Sequence, residues 1–172
     1  MKSKTRAFTI PEETYLVTLA SADRMCISVS KLVSFLTSVI VGSLDREFGI
    51  AGLNLGLSLN PRKTKRTNLM WEAEKVVNLD GATGTQLYAW ARALGVASSD
   101  LFASCAIVTL HQLRTGKVRG FVARREGFKS SSWPHELQGY VDALRHKLDA
   151  AIERGEIGDD GKVKSVDSVE EK

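Results

Sequence analysis

Two stretches of the chain, 5–44 and 74–113, show the same succession of hydrophobic and polar positions. In each stretch, a short segment of alternating apolar residues precedes two segments whose apolar residues recur at helical spacing. The stretches superpose without a gap at an offset of 69 residues, which places Phe8 on Val77. Chance similarity between apolar helical stretches is the alternative, but an unbroken offset across three kinds of element favours a repeat of strand, helix, turn and helix.

The alternating segments predict one short strand in each stretch. Phe8 and Ile10 share one face of the first strand, and Val77 and Leu79 share one face of the second. A strand of about six residues has no partner inside its own stretch, so its backbone groups must pair elsewhere. We therefore predict a mainly α fold with a short antiparallel two-stranded ribbon, in which two repeats form an intramolecular pseudo-dimer above a shared core.

Glycine and serine residues mark the predicted helix ends. Gly95 is placed to end the first helix of the second stretch with a left-handed cap. The second helices are predicted to begin at Ser28 or Ser30 and at Ser98 or Ser99, because serine is a favourable N-cap. Both second helices are apolar on more than one side, which predicts a position at the centre of the core.

Outside the two stretches, the pattern predicts three further segments. Glycines spaced among apolar residues in 48–74 indicate a folded loop. Residues 134–156 form an amphipathic helix whose apolar face docks on the domain or on another protein. Residues 157–172 are predicted to be a disordered tail. The division is thus a tandem domain over 1–133, then the helix, then the tail.

Charge is distributed unevenly along the chain. The net charge is +4, with an excess of +8 over residues 1–129 and of −4 over the remainder. Basic residues cluster at Arg62, Lys63, Lys65 and Arg66, and again at Arg114, Lys117, Arg119, Arg124 and Arg125. Such clusters are typical of a polyanion partner or of a solvated surface.

Several classes of function find no support in the sequence. Two cysteines cannot build a disulfide framework or a zinc site, and they suit a reducing compartment, where a lone cysteine is usually a core residue. The longest uncharged run has 14 residues, too few to span a bilayer, and the amino terminus lacks the apolar core of a signal peptide. We expect a cytoplasmic protein with no membrane partner, no cofactor and no bound metal, and not an enzyme.

The second stretch contains the phrase VNLDGATGTQLYAWARALGVASSDLFASCAIVTL. Together with its counterpart at 5–44, it resembles the ribbon-helix-helix family of DNA-binding proteins, the Arc/MetJ superfamily. The resemblance implies a ribbon that enters the major groove of DNA. Two copies in one chain are similar to the TraY-type relaxosome accessory proteins and the overdrive-binding accessory proteins of T-DNA transfer.

The resemblance also implies which residues contact DNA. Base contacts fall to the outward-facing strand positions, which are Thr5, Ala7, Thr9, Val76 and Asn78. Glu74 is also outward by position, but its carboxylate would repel phosphate. Phosphate contacts fall to strand ends, to the starts of the second helices and to the basic clusters, namely Arg6, Lys75, Ser30, Lys31, Ser99, Arg62, Lys63, Lys65, Arg66, Arg119, Arg124 and Arg125.

Two hypotheses about function follow. The first is a protein that binds double-stranded DNA, either as an accessory factor in conjugative or plasmid DNA processing or as a transcriptional repressor of the same fold. The second is an antitoxin-like or scaffolding interaction module without strong DNA binding. The helix at 134–156 is a candidate surface for a relaxase or another DNA-processing protein, and further self-association stays open.

Overall fold

The computed structural model describes residues 5–61, 74–115 and 133–157. The fold is mainly helical with one two-stranded antiparallel sheet. The elements, in chain order, are β1 (Arg6–Pro11), α1 (Glu12–Met25), α2 (Val29–Leu59), β2 (Glu74–Leu79), α3 (Gly81–Leu94), α4 (Ser98–Arg114) and α5 (His135–Glu153). The predicted tail lies outside the described residues except for its first residue, Ile157, which packs against the core. Arg62 to Arg66, Arg119, Arg124 and Arg125 also lie outside the described residues.

The two strands pair with each other, as the alternation predicts. Phe8 lies opposite Val77 at the middle of the ladder. The side chains of Phe8, Ile10, Val77 and Leu79 are all buried, with at most 6% of their surface exposed. The ribbon therefore has one face covered by the helices and one face open.

The core lies beneath the ribbon, and α2, α3, α4 and α5 all contribute buried apolar side chains to it. Leu36 and Ile40 of α2 and Leu101 and Phe102 of α4 are completely buried. The ring of Phe8 meets the ring of Phe102 edge-on, with centroids 5.2 Å apart, a favourable geometry for an aromatic pair. The prediction that the second helices occupy the centre is confirmed.

The offset of 69 residues recurs in the bounds of the elements. It relates both ends of α1 to those of α3, and the first residue of α2 to the first residue of α4. It also relates the residues that end α1 and α3, since Cys26 and Gly95 are both in the left-handed conformation. In each turn, the next backbone amide donates a hydrogen bond to the carbonyl five residues earlier in the chain. The distance is 3.1 Å for Ile27 and 3.0 Å for Val96.

The starts of the second helices differ from each other. Ser28 caps α2, its side chain accepting a hydrogen bond from the Lys31 amide at 3.2 Å. The N-cap of α4 is Ala97, which offers no side-chain acceptor. Ser28 was thus correctly predicted as a cap, whereas the serine cap predicted for α4 is wrong because the helix already begins at Ser98.

The predicted loop after residue 47 is wrong over its first part. Residues 48–59 continue α2, which bends at Gly49, where φ is 65°. Beyond the bend, a methyl group on Gly56 would lie only 2.6 Å from Cβ of Ala93. The glycines therefore serve a bend and a close approach between α2 and α3, not a loop.

The amphipathic helix α5 docks on the chain's own core. It packs against α2, α3 and α4, and Leu137, Val141 and Leu144 are buried. At its start, the Trp133 indole donates a hydrogen bond to Oε2 of Glu47 at 2.8 Å. The sequence left two docking sites open for this helix, the domain or another protein, and the structure shows the helix docked on the domain.

In the part of the chain that the structure describes, no single helix is both long and apolar enough to cross a bilayer. Helices α1 and α2 reach that length and composition only as a pair, and their axes meet at 106°.

Candidate nucleic-acid interface

The open face of the ribbon, formed by Ala7, Thr9, Val76 and Asn78 and called the outer face below, is the candidate interface. Ala7, Val76 and Asn78 are exposed, and Thr9 is half-buried. The register arranges these side chains in two rows, with Ala7 opposite Asn78 and Thr9 opposite Val76. Thr5, just before β1, is also exposed. The sequence prediction of which strand side chains point outward therefore agrees with their exposure.

The outer face combines short polar and short apolar groups. Val76 keeps 65% of its surface exposed although it is fully apolar. The Asn78 carboxamide and the Thr9 hydroxyl can each donate or accept a hydrogen bond. Methyl groups beside such polar groups suit the edges of base pairs, where thymine offers a methyl group and adenine offers a donor and an acceptor.

Arg6 lies on the inner side of the ribbon, as the alternation predicts, yet its side chain is exposed. Its guanidinium carbon lies 5.5 Å from the centre of the Tyr88 ring, and its stem passes over Gly84. The Tyr88 hydroxyl donates to the Ala7 carbonyl at 3.1 Å. This contact to an uncharged ring does not itself neutralise the positive charge of Arg6, which lies at the edge of the outer face.

Lys75 lies towards the other end of the ribbon and has an acidic neighbour. Its Nζ is 3.9 Å from Oε1 of Glu12, and both side chains are about half exposed. Such an exposed, long-range pair contributes little to stability. The lysine therefore keeps its freedom to move, although Glu12 offsets its charge.

The amino end of α2 is joined to the ribbon. The Ser30 hydroxyl donates to the Asn78 carbonyl at 2.9 Å, and Lys31 beside it is exposed. The first amides of a helix lack partners within the helix, and the helix dipole makes this end attractive to anions. The Ser30 hydrogen is committed to Asn78 and the Lys31 amide to Ser28, so a phosphate bound here would meet the Lys31 ammonium and the amides of Val29 and Ser30. The predicted phosphate contacts of Ser30 and Lys31 stay predictions.

The amino end of α4 has a different character. Ser99 is 7% exposed and Asp100 only 1% exposed. The predicted phosphate contact by Ser99 stays a prediction, for a side chain that is nearly covered. Asp100 occupies the position that Lys31 has in α2, so this end of the fold lacks the exposed cation of its counterpart.

Asp80, which follows β2, is the acid that caps α3. Its carboxylate accepts hydrogen bonds from the Thr83 hydroxyl at 2.6 Å and the Thr83 amide at 3.0 Å. These bonds hold the pKa of Asp80 below its ordinary value, since both favour the charged form. Asp80 is therefore a structural carboxylate at the edge of the interface.

Two features of the site were not apparent from the sequence: the stacking of Arg6 on Tyr88 and the bond from Ser30 to β2. The spacing of Gly84 and Tyr88, four residues apart on one helix, is the signal that could have indicated the first. A glycine one turn before an aromatic ring leaves a groove for a long side chain. No comparable signal marks the second, which depends on how α2 approaches the ribbon.

The two cysteines of the chain lie within the described ranges 5–61, 74–115 and 133–157 and differ in their surroundings. Cys105 is completely buried, and burial raises the pKa of its thiol, so it is an unreactive part of the core, while Cys26 is exposed. Within those ranges, no three His, Cys, Asp or Glu side chains come together to hold a metal ion.

Comparison with protein-family models, with curated proteins and with solved structures finds no match, so the candidate interface rests on its own geometry.

Proposed function

We propose that the protein binds double-stranded DNA by inserting the β1–β2 ribbon into the major groove. The observation that carries the proposal is a two-stranded ribbon with one face buried on helices and the other face open. The major groove, about 12 Å wide, admits an antiparallel ribbon of this kind. The exposed amino end of α2 then lies beside the groove and faces a phosphate.

The composition of the outer face supports insertion into a groove. The solvated face of an antiparallel sheet usually carries polar side chains. Here Ala7, Thr9, Val76 and Asn78 are all short and uncharged. Short side chains let the backbone approach base edges closely, whereas charged ones would be the expected choice for a ribbon that faces only water.

The organisation into two halves supports the narrower assignment as a tandem ribbon-helix-helix pseudo-dimer. Each half contributes one strand, and helix bounds and turn conformations recur at the same offset of 69 residues. Phe8 and Val77, which that offset relates, lie directly opposite each other. A local twofold axis through this pair is the arrangement expected if two equivalent units built the ribbon.

The biological role within this proposal is an accessory factor for conjugative or plasmid DNA processing, with a repressor of the same fold as the variant. The location of the bound site separates the two roles. An accessory factor binds beside a transfer origin and a repressor binds over a promoter, so selecting bound fragments from the host's DNA decides between them. The alternative of a scaffold has less support, because the apolar face of α5 that it needs is buried on the core.

DNA binding is tested by fluorescence anisotropy with a labelled random-sequence duplex at two salt concentrations. We expect affinity to fall steeply, by about tenfold or more, between about 50 and about 200 mM salt, because phosphate contacts release counterions. Absence of binding at the lower salt would overturn the proposal.

The surface is tested by Ala7→Glu, which places a carboxylate on the outer face. We expect it to weaken binding by about tenfold or more through repulsion from phosphate. The matched control is Ala143→Glu, the same change at an exposed position of α5. Equal effects of the two variants would show that the ribbon is not the binding surface.

A further inference from the structure

We infer that the preferred DNA site is non-palindromic and that the protein binds it in one fixed orientation. The inference rests on the proposed function and deepens it by naming the class of duplex. It starts from the difference between the two ends of the outer face. We call Ala7 and Asn78 the amide row, and Thr9 and Val76 the valine row, after their pairing across the ribbon.

The two rows offer different chemistry to the bases. The amide row carries a carboxamide, which matches the donor and acceptor of adenine in the major groove. The valine row carries three methyl groups and one hydroxyl, which match the methyl group of thymine. A twofold axis through Phe8 and Val77 would exchange the rows and relate Asn78 to Thr9. A palindromic site would therefore offer the same adenine to a carboxamide in one half and to a single hydroxyl in the other, so only one half can require the adenine.

The spacing of the rows assigns them to different base pairs. The rows are two residues apart along each strand, which corresponds to about 6.8 Å. That distance equals about two base-pair steps, since each step rises about 3.4 Å. On a site with adenine in only one half, turning the protein around would replace the two hydrogen bonds of the Asn78 carboxamide by at most one from the Thr9 hydroxyl, which is disfavoured.

The charged side chains near the two rows also differ. Next to the amide row lie Arg6, over the Tyr88 ring, and Lys31, beside the bond from Ser30 to Asn78; Asp80 is the acid at this end. Next to the valine row, Lys75 is paired with Glu12, which starts α1 together with Glu13. The amide-row end is thus the more positive. Helix α4, which packs against β1, has the buried acid Asp100 in its first turn.

The orientation can be tested on the wild-type chain by labelling its exposed cysteine. Cys26 is exposed in the turn before α2, whereas Cys105 is completely buried. Preferred duplexes are first selected from a random library. An iron chelate attached to Cys26 then cleaves DNA near the amide-row end. We expect a non-palindromic consensus and cleavage on one flank only.

A second chelate position guards against a local artefact of the label. Arg92 is exposed in the last turn of α3, which corresponds to the last turn of α1. In the double variant Cys26→Gly, Arg92→Cys, we expect cleavage to move to the opposite flank. Equal cleavage of both flanks from either position, or a palindromic consensus, would overturn the inference while leaving DNA binding intact.

The assignment of each row has its own readout. Replacing thymine by uracil in the half of the site facing the valine row should weaken binding about fourfold, the value of one buried methyl group. The same replacement should have no effect on Val76→Ala. Asn78→Ala should weaken binding about fivefold or more and relax the preference for adenine in the other half. A loss that is equal on selected and random duplexes would contradict base contact. Failure of the wild-type protein to bind any duplex would instead overturn the proposed function.

Discussion

At the scale of single residues, the turn between α1 and α2 contains an unusual conformation. Cys26 has φ 54° and ψ 42°, the left-handed region that favours glycine, and Gly95 has the same role after α3. A side chain in this conformation costs on the order of 1–2 kcal/mol. The chain tolerates this cost in one of two turns that are otherwise alike.

We predict that Cys26→Gly raises the free energy of unfolding by about 1 kcal/mol, because glycine adopts this conformation without strain. Urea denaturation measures the change. Ala20→Gly, at an exposed and normally helical position of α1, is the control and should lower stability by about 1 kcal/mol. A loss of stability in both variants would show that the turn is not strained.

The capping carboxylate predicts a pH dependence. Hydrogen bonds from Thr83 lower the pKa of Asp80 in the folded state from its ordinary value of 3.8. The stability that they contribute is therefore full above that ordinary value and is lost as the pH falls through the lowered folded value. In Asp80→Asn, which keeps a cap without the charge, we expect this loss to be absent. Parallel pH dependence of unfolding in the two proteins between about pH 7 and about pH 2 would contradict the assignment.

At the scale of elements, two helical glycines look alike in the sequence and differ in their surroundings. A methyl group on Gly56 would meet Ala93 at 2.6 Å, whereas nothing lies within 4 Å of a methyl group on Gly139. We predict that Gly139→Ala raises stability by about 1 kcal/mol through helix propensity. Gly56→Ala should lower stability by about 1–3 kcal/mol, because the contact between α2 and α3 must open. Thermal or urea unfolding distinguishes the two signs, and a gain in both would refute the close packing.

The contrast between these two glycines also explains how far the sequence predicts the helices and strands. Alternation fixes which faces of β1 and β2 are buried, so Phe8 and Ile10 in β1 and Val77 and Leu79 in β2 predict the outer face correctly. The continuation of α2 past residue 47 was missed, because glycine disfavours helix unless a neighbouring element needs the space. That need arises from α3, which lies far along the chain, and local sequence does not record it. The position of Arg6 over Tyr88 was missed for the same reason.

At the scale of the whole molecule, each half of the chain contributes one strand to the sheet. Neither half can satisfy the backbone of its strand alone, and each leaves part of the shared core exposed. We predict that fragments 1–60 and 68–130, expressed separately, show no cooperative unfolding by circular dichroism, whereas the full chain unfolds in one transition. Cooperative unfolding of either fragment as a monomer would contradict the shared core.

The pairing of β1 with β2 also sets the order of events during synthesis. Residues 6–11 emerge from the ribosome early, but their partners are residues 74–79, so the first strand waits unpaired while the intervening chain is made. Closing so long a loop costs entropy that only the completed core repays. A nascent chain that has not yet reached β2 has no ribbon. Under the proposed function, translation itself delays DNA binding until both strands are present, and a prematurely terminated product of the first half does not compete for the site.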